Sequence, residues 1–250
     1  MGRGLTIPAV RIRIITLFPE MFDGPFASSI VGRAKARGLV EISVIQLRNY
    51  AHDRHRTVDD TPYGGGPGMV LMAQPLTEAV EAAANMEGST GRPRPKVVLM
   101  TPQGKPLTQP FLRGLADEAA LTIVCGHYEG VDERFIERSV DYEVSVGDYV
   151  LTGGEIPAMA VVDGLVRLMP GALGDVESAT RESFGPEIEG MLQGPVYTRP
   201  LEFEGREVPA VLLSGDHKKV QAWRRQQAVE RTRARRRELL DGWPEREARP

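Results

Sequence analysis

The 250-residue chain, 41% hydrophobic and 26% charged, has the composition of a soluble globular protein and the length of one large domain with a small appendage. No apolar run reaches the roughly 18 residues of a membrane span, and the N-terminus lacks a signal peptide's apolar core, so a soluble cytoplasmic protein without membrane contact is expected. The net charge is −3, and the only cysteine, Cys125, excludes an intrachain disulfide scaffold and a cysteine-ligated zinc site.

Residues 12–18 read as a strand stopped by Pro19, and a helix follows from about 20 to 37, ended by Gly38. Alternation over 40–47 marks a second strand. A polar, basic loop over 48–63 runs into Gly64-Gly65-Gly66-Pro67-Gly68. Pro75 suits a first helical turn, and Leu76, Ala79, Val80 and Ala83 share one face of the helix after it. Residues 87–96 have the composition of a flexible surface loop. Apolar strands over 97–100 and 121–125 leave into turns bearing Gly104 and Gly126, and Cys125 reads as a buried, inert thiol. Thr108 can cap a helix running towards 118, and a short helix covers 132–138. A strand over 142–146 enters a loop with Gly147, Gly153 and Gly154, and a helix follows over 155–169.

Strands alternating with helices, several apolar throughout, indicate an α/β domain with a mostly parallel sheet flanked by helices. Ligands of such sheets bind beyond the carboxyl ends of the strands, where the loops after Met100, Cys125 and Val146 would meet. Their glycines let backbone approach a ligand closely, so a small-ligand site is expected there. This domain is assigned to residues 1–170.

Residues 171–194 hold five glycines and five acids and read as a flexible linker. A small, mainly helical domain is expected over 195–250, with a long helix from about 217 to 240 anchored by Val220 and Trp223. Residues 218–237 carry nine Lys or Arg against one acid, Glu230, a net +8 that leaves −11 for the rest of the chain. Such a segment suits a polyanionic partner, and equally a solvated helix face.

Other motifs exclude more than they assign. The 64–68 run lacks the Gly-Lys-Ser/Thr of a phosphate loop, and no strand is followed by the dinucleotide fingerprint. His52 and His55 with Asp53, Asp59 and Asp60 have the residue types of a metal site, but Arg54 and Arg56 dilute the cluster and suit RNA phosphates or an unstacked base better. Glu129, Asp132, Glu133 and Arg134 suit helix capping and ion pairing. Arg167, late on an apolar helix, either snorkels to solvent or faces an anion.

Together these segments resemble the bacterial tRNA (guanine-N1)-methyltransferases, the TrmD family of the SPOUT superfamily. The resemblance rests on I-I-T-L-F-P-E-M-F from Ile14, H-R-T-V-D-D-T-P-Y-G-G-G-P-G-M from His55 and T-P-Q-G-K from Thr101. It continues with C-G-H-Y-E-G-V-D-E-R from Cys125, S-V-G-D-Y-V-L-T-G-G-E-I-P-A-M from Ser145, P-V-Y-T-R-P from Pro195 and L-L-S-G-D-H from Leu212. It implies a SPOUT-type sheet with a deep trefoil knot, an obligate homodimer with active sites at the subunit interface, and S-adenosylmethionine as methyl donor. The acceptor implied is N1 of the tRNA guanosine at position 37, immediately 3′ of the anticodon.

Residue by residue, the resemblance assigns the main donor contacts to Gly126 and to the run Ser145, Val146, Gly147, Asp148, Tyr149, Val150 and Leu151. Met100, Thr101, Pro102, Gly153, Gly154 and Pro157 complete that pocket, with Tyr128 and Glu129 at the donor's polar end. His55, Asp59 and Gly68 match positions used for the guanosine or its neighbour, and Arg167 matches the catalytic arginine. Lys218, Lys219, Arg224 and Arg225 of the basic domain would help hold tRNA. The family's general base is usually an aspartate in a D-S-F segment; here Glu182 stands in its place, followed by Ser183, with Asp175 and Glu177 as alternatives in the same stretch. The resemblance also carries a response to Mg²⁺, although no ligand set is legible. A second reading, favoured only by the glutamate at 182, is an RNA-binding dimer that has lost catalysis; a third is a methyltransferase for another RNA site.

Overall fold

Three strands whose side chains are buried on both faces form the centre of the molecule's only large sheet among the described residues. The computed structural model describes residues 10–86, 94–174 and 180–241, in two compact units, Met1–Gly174 and Asp175–Pro250.

In the first unit, β1 (Val10–Thr16) is followed by a 3-10 turn (Pro19–Phe22), two short helices, α1 (Asp23–Ala27) and α2 (Ser29–Ala36), and β2 (Val40–Gln46). A small antiparallel pair, β3 (Asp59–Asp60) and β4 (Val70–Leu71), precedes α3 (Ala73–Asn85). Then come β5 (Lys96–Pro106), α4 (Gln109–Ala116), β6 (Ala120–Cys125), α5 (Glu133–Ser139), β7 (Tyr142–Ser145) and α6 (Glu155–Val166). The sheet order is β2-β1-β6-β5-β7, with every pairing parallel.

Alternate side chains build a core on each face of the sheet. Ile12, Ile14, Val98, Met100 and Ile123 pack with Val31 of α2, Leu112 of α4 and the Val161, Val162 and Leu165 stripe of α6. Ile15, Val97, Leu99 and Val124 pack on the other face with Leu76 and Ala79 of α3 and Phe135 of α5. The expected parallel sheet flanked by helices is therefore present. Arg13 is buried within this apolar strand because Glu41 neutralises it at 2.9 Å and Ser43 accepts from it at 3.2 Å, both on the neighbouring β2.

Three local features differ from the sequence expectation. The helix expected over 20–37 is broken at Ser28, whose backbone is extended and whose hydroxyl donates to the Gly24 carbonyl at 3.1 Å. The break lets Phe22, Phe26, Val31 and Ala34 reach one core. The strand expected to end at Met100 continues to Pro106: the chain bulges out after Met100 and rejoins β7 at Lys105, which pairs with Val144 as Met100 does. The 64–68 run is the turn of the β3–β4 hairpin; Gly64, Gly65, Gly66 and Gly68 all have positive φ, which the absence of a Cβ makes inexpensive.

The second unit is built on α7 (His217–Arg235), capped by the Asp216 carboxylate, which accepts from the Lys219 amide at 3.2 Å. A hairpin of β8 (Glu202–Phe203) and β9 (Arg206–Glu207) precedes it. Val220 and Trp223 are only half buried, and the deeply buried positions of α7 are Ala228 and Thr232. The Thr232 hydroxyl accepts from the Leu192 amide at 3.0 Å and donates back to the Ala228 carbonyl at 2.7 Å, beside fully buried Met191. Residues 180–194, expected as linker, thus pack on α7 in successive turns, while 175–179 lie outside the described residues.

Candidate functional site at the carboxyl edge of the sheet

The parallel strands end together, and the loops beyond β5, β6 and β7 are tied to one another. His127 and Gly153 form an antiparallel bridge, and the Gly154 amide donates to the Gly126 carbonyl at 2.8 Å. A Cβ at Gly154 would stand 2.7 Å from Cys125 Cα and 2.8 Å from Gly126 N, and one at Gly126 would stand 2.9 Å from the Met100 carbonyl oxygen. These glycines are required by neighbouring backbone. Met100, Gly126, Gly153 and Gly154 are thereby brought together, with Pro157 buried in the first turn of α6.

The loop after β7 is shaped by Ser145, whose hydroxyl donates to the Gly147 carbonyl at 2.9 Å and accepts the Gly147 amide at 3.2 Å. Beyond this turn Asp148, Tyr149, Val150 and Leu151 are exposed, with Val150 at 81%, while Val146 is half buried. Thr101 is half buried and Pro102 exposed in the β5 bulge, where the Thr101 hydroxyl accepts the Gln103 amide at 3.3 Å. Tyr128 is exposed with φ of 60°, a conformation uncommon for a tyrosine.

The β3–β4 hairpin joins the same edge. The Leu71 amide donates to the Gly130 carbonyl and the Glu129 amide to the Met69 carbonyl, both at 3.0 Å, and the Gly68 backbone lies against the Glu129 side chain. Gly68 and Glu129, assigned to different ligands by the resemblance, are therefore neighbours. Asp59 is half buried in β3, and His55 is exposed in the preceding loop.

Of the histidines and acids that suggested a metal, His52, Asp53 and Asp60 have other partners. His52 Nε2 is 3.0 Å from both Glu78 carboxylate oxygens. Asp53 accepts from the Thr57 amide at 2.7 Å, the Thr57 hydroxyl at 2.8 Å and the His55 amide at 3.0 Å; these bonds, those from Thr57 foremost, hold its carboxyl below the usual range. Among the described residues no three His, Cys, Asp or Glu side chains are grouped to hold a metal. Asp132 caps α5 and pairs with Arg134 at 2.6 Å, and the Arg134 side-chain hydrogen bonds lower its pKa.

One buried cluster had no sequence signal. Glu155, 2% exposed at the N-terminus of α6, accepts from the Thr16 hydroxyl at 2.7 Å and lies 4.0 Å from His127 Nε2. The helix N-terminus favours the carboxylate, and Thr16 satisfies one of its oxygens. The His127 ring stacks obliquely on Phe18, centroids 5.2 Å apart, and its Nδ1 is buried without a partner among the described residues. His127, Glu155, Phe18, Thr152 and Ile156 line a cavity of about 270 Å³ beside the glycine loop. Burial pushes the adjacent Cys125 thiol well above its ordinary pKa, and the Glu155 charge adds to the effect, so Cys125 is inert as expected.

Arg167 is half buried at the C-terminal cap of α6, its amide donating to the Asp163 carbonyl at 3.1 Å. In the second unit Glu182 is half buried and the Ser183 hydroxyl accepts the Gln193 amide at 3.0 Å. Lys218, Lys219, Arg224 and Arg225 are exposed on α7. Asp175 and Glu177 lie outside the described residues.

Comparison with known proteins converges on one family. The family model for "tRNA (Guanine-1)-methyltransferase TrmD" matches residues 10–242. The chain is 54% identical over 232 residues to a tRNA (guanine-N(1)-)-methyltransferase of Pelotomaculum thermopropionicum, covering 92% of this chain and 90% of that one. Enzymes of the same description from Brevibacillus brevis and Gloeobacter violaceus are 52% and 53% identical, covering 93% and 92% of this chain and 92% and 98% of theirs.

Proposed function

The chain belongs to the tRNA (guanine-1)-methyltransferase family, and on that premise we propose that it transfers a methyl group from S-adenosylmethionine to N1 of guanosine 37, immediately 3′ of the tRNA anticodon. The observation that carries this reading is the closure of the 126–130 and 147–154 loops on each other at the sheet's carboxyl edge, with glycine wherever backbone leaves no room for a side chain. A cradle of that kind fits a ligand held mainly by backbone groups, with exposed Tyr128, Tyr149 and Leu151 available for its apolar parts. Gly126, the 145–151 run, Gly153 and Gly154 hold the donor in this reading, with Met100, Thr101, Pro102 and Pro157 around them and Glu129 towards its charged end. When bound, the donor supplies an electrophilic methyl sulfonium.

The remaining chemistry belongs to the protein. Guanine N1 carries a proton and is a poor nucleophile until that proton leaves, and Glu182 is the proposed general base. Negative charge then gathers on O6, where the proposal sets the Arg167 guanidinium. A glutamate differs from the family's usual aspartate by one methylene, which keeps the carboxylate and changes its reach. His55, Asp59 and Gly68 are assigned to the guanosine or its neighbour, and Ser183, Lys218, Lys219, Arg224 and Arg225 to the tRNA. Mg²⁺ would assist in this reading by family resemblance alone, with no group of three His, Cys, Asp or Glu side chains among the described residues to hold it.

The proposal includes a SPOUT-type trefoil knot and a cytoplasmic homodimer with its active sites at the subunit interface. The sheet order supports the knot: β5 lies between β6 and β7, yet the loop leaving β7 bonds back to the loop leaving β6. Exposed Tyr149, Val150, Leu151 and Ile156 beside the glycine loop support a subunit contact. The deciding experiment supplies labelled S-adenosylmethionine with unmodified tRNA carrying guanosine or adenosine 3′ of the anticodon. Label on the guanosine substrate alone is expected; transfer to both, or to another position, overturns the reading.

A further inference from the structure

The turn that carries Arg167 out of α6 is held from outside that helix by one side chain. Beyond Val166 the Leu168 amide donates to the Leu165 carbonyl at 3.0 Å and the Met169 amide to the Val166 carbonyl at 3.1 Å, so the helix tightens as it closes around Arg167. Met169, Pro170, Gly171 and Ala172 then reverse the chain. Pro170 stands second and Gly171 third, with φ of +81°, and the Ala172 amide bonds back to the Met169 carbonyl at 3.1 Å; these are the features of a type II turn. Met169 and Ala172, at its two ends, are buried in the core that also takes Val31 and Ala34 from α2. Gly171 is exposed, and its carbonyl accepts from the Arg37 guanidinium at 2.6 Å. Arg37 is the C-terminal cap of α2, 134 positions away in the chain.

Burial of Met169 and Ala172 draws the turn onto the core, but apolar contact is non-directional and leaves the turn's rotation about those two residues weakly defined. A hydrogen bond from a guanidinium to a carbonyl is directional, and its charge makes it stronger than a neutral one. Arg37 supplies the orientation that packing leaves open. The Arg167 amide is tied to the Asp163 carbonyl at 3.1 Å, so the stretch from 167 to 171 is held at one end by α6 and at the other by Arg37. We propose that Arg37 is a positioning residue for methyl transfer: by holding the Gly171 carbonyl it orients the 167–172 turn, and with it the Arg167 guanidinium, for contact with guanine O6. The inference rests on the proposed role of Arg167. An arginine stabilises a developing oxyanion only from hydrogen-bond distance, and a displacement of about 1 Å arising far from the chemistry can cost up to about a hundredfold in rate.

The test measures methyl transfer by the full-length protein to unmodified tRNA, as kcat and as KM for each substrate. Arg37→Ala is expected to lower kcat about tenfold, with KM for S-adenosylmethionine and for tRNA within about twofold of wild type. Arg37→Lys keeps a cationic donor for the carbonyl and should recover most of that loss. Because Arg37 is exposed, the thermal midpoint of either variant should fall by less than about 4 °C. The deciding measurement is a cycle with Arg167→Ala. Once that guanidinium is gone its orientation no longer matters, so adding Arg37→Ala should cost less than about a further twofold. The same tenfold cost in both backgrounds would mark a loss unrelated to Arg167 and overturn the inference, as would a lysine variant no faster than the alanine one. If Arg167→Ala itself turns over at the wild-type rate, the role proposed for Arg167 falls and this inference with it. If Arg167→Ala is slow while Arg37→Ala is not, only the role of Arg37 falls.

Discussion

Gly154→Ala is the sharpest probe of the glycine loop, because its cost comes from one source. The residue has φ of −80° and ψ of −2°, which alanine adopts without strain. The added methyl would instead stand 2.7 Å from Cys125 Cα and 2.8 Å from Gly126 N, roughly 0.7–1 Å inside normal contact. Both obstacles are backbone atoms at the end of a central strand, so neither can turn aside. Overpacking of this kind costs about 1–3 kcal/mol, and stretching the 2.8 Å bond from Gly154 to the Gly126 carbonyl adds about 1 kcal/mol. The expected loss is therefore about 2–4 kcal/mol. Urea unfolding should report it as a lower midpoint at unchanged slope, and the KM for S-adenosylmethionine should rise about tenfold or more as the loops part. Gly114→Ala is the control: that glycine lies in α4 with no atom within 4 Å of an added Cβ, and the exchange should stabilise by up to about 1 kcal/mol. A Gly154→Ala protein within 0.5 kcal/mol of wild type (roughly the scatter of such measurements) and with unchanged KM would refute the reasoning.

Other perturbations separate chemistry from folding. Glu182→Gln should lower kcat at least about a hundredfold with tRNA affinity retained, and transfer within a few-fold of wild type would remove it as the base. Arg167→Ala should cost about 10²–10³ in kcat with a much smaller change in KM for tRNA; the reverse pattern would assign it to binding. Asp141 accepts from the Val97 amide at 2.8 Å, Arg94 at 2.9 Å and Lys96 at 3.2 Å. Burial alone would raise its pKa, yet these partners hold it below the ordinary 3.8, so its stabilisation is complete above about pH 4 and fades as pH falls through the lower folded-state value. Asp141→Asn should thus cost about 1–3 kcal/mol at pH 7 and progressively less in acid; a difference constant with pH would contradict the assignment. Val150→Asp, at an 81% exposed position, should shift the protein to monomer in sedimentation if the loop forms the subunit contact, and leave unfolding of the isolated chain unchanged.

Local patterns carried much of the first unit. Apolar runs around Ile14, Val98 and Ile123 mark the three central strands, and their length suits burial on both faces, so the parallel sheet and its carboxyl edge were legible. The break at Ser28 was not, since residues 20–37 contain no proline late enough to force it, and what favours it is a core that draws in Phe26 and Val31 from two directions. Nor was the continuation of β5: Thr101 to Gly104 reads as a turn, and it is one, but β7 lies close enough for the chain to resume pairing at Lys105. On α7 the large apolar residues Val220 and Trp223 attracted the assignment, while the small Ala228 and the hydroxyl of Thr232 occupy the buried side because the 180–194 segment packs closely there.

The Thr16–Glu155 bond explains why a site can be legible as loops and illegible as a network. Its partners are 139 residues apart, and neither has a local pattern that marks it as buried. Glu155 in particular follows two glycines at the start of a helix, where sequence alone suggests an exposed first-turn acid. The fold brings the end of β1 beneath the loop leaving β7, and the carboxylate becomes the link between them, with Cys125 and His127 beside it. An uncompensated polar group at that depth would cost about 1–3 kcal/mol, so Thr16 and Glu155 are coupled to the geometry of the glycine loop as well as to each other. In the proposed reading, a donor held by the 145–151 backbone would be positioned through Gly153 and Gly154, and these in turn through the Thr16–Glu155 bond to β1.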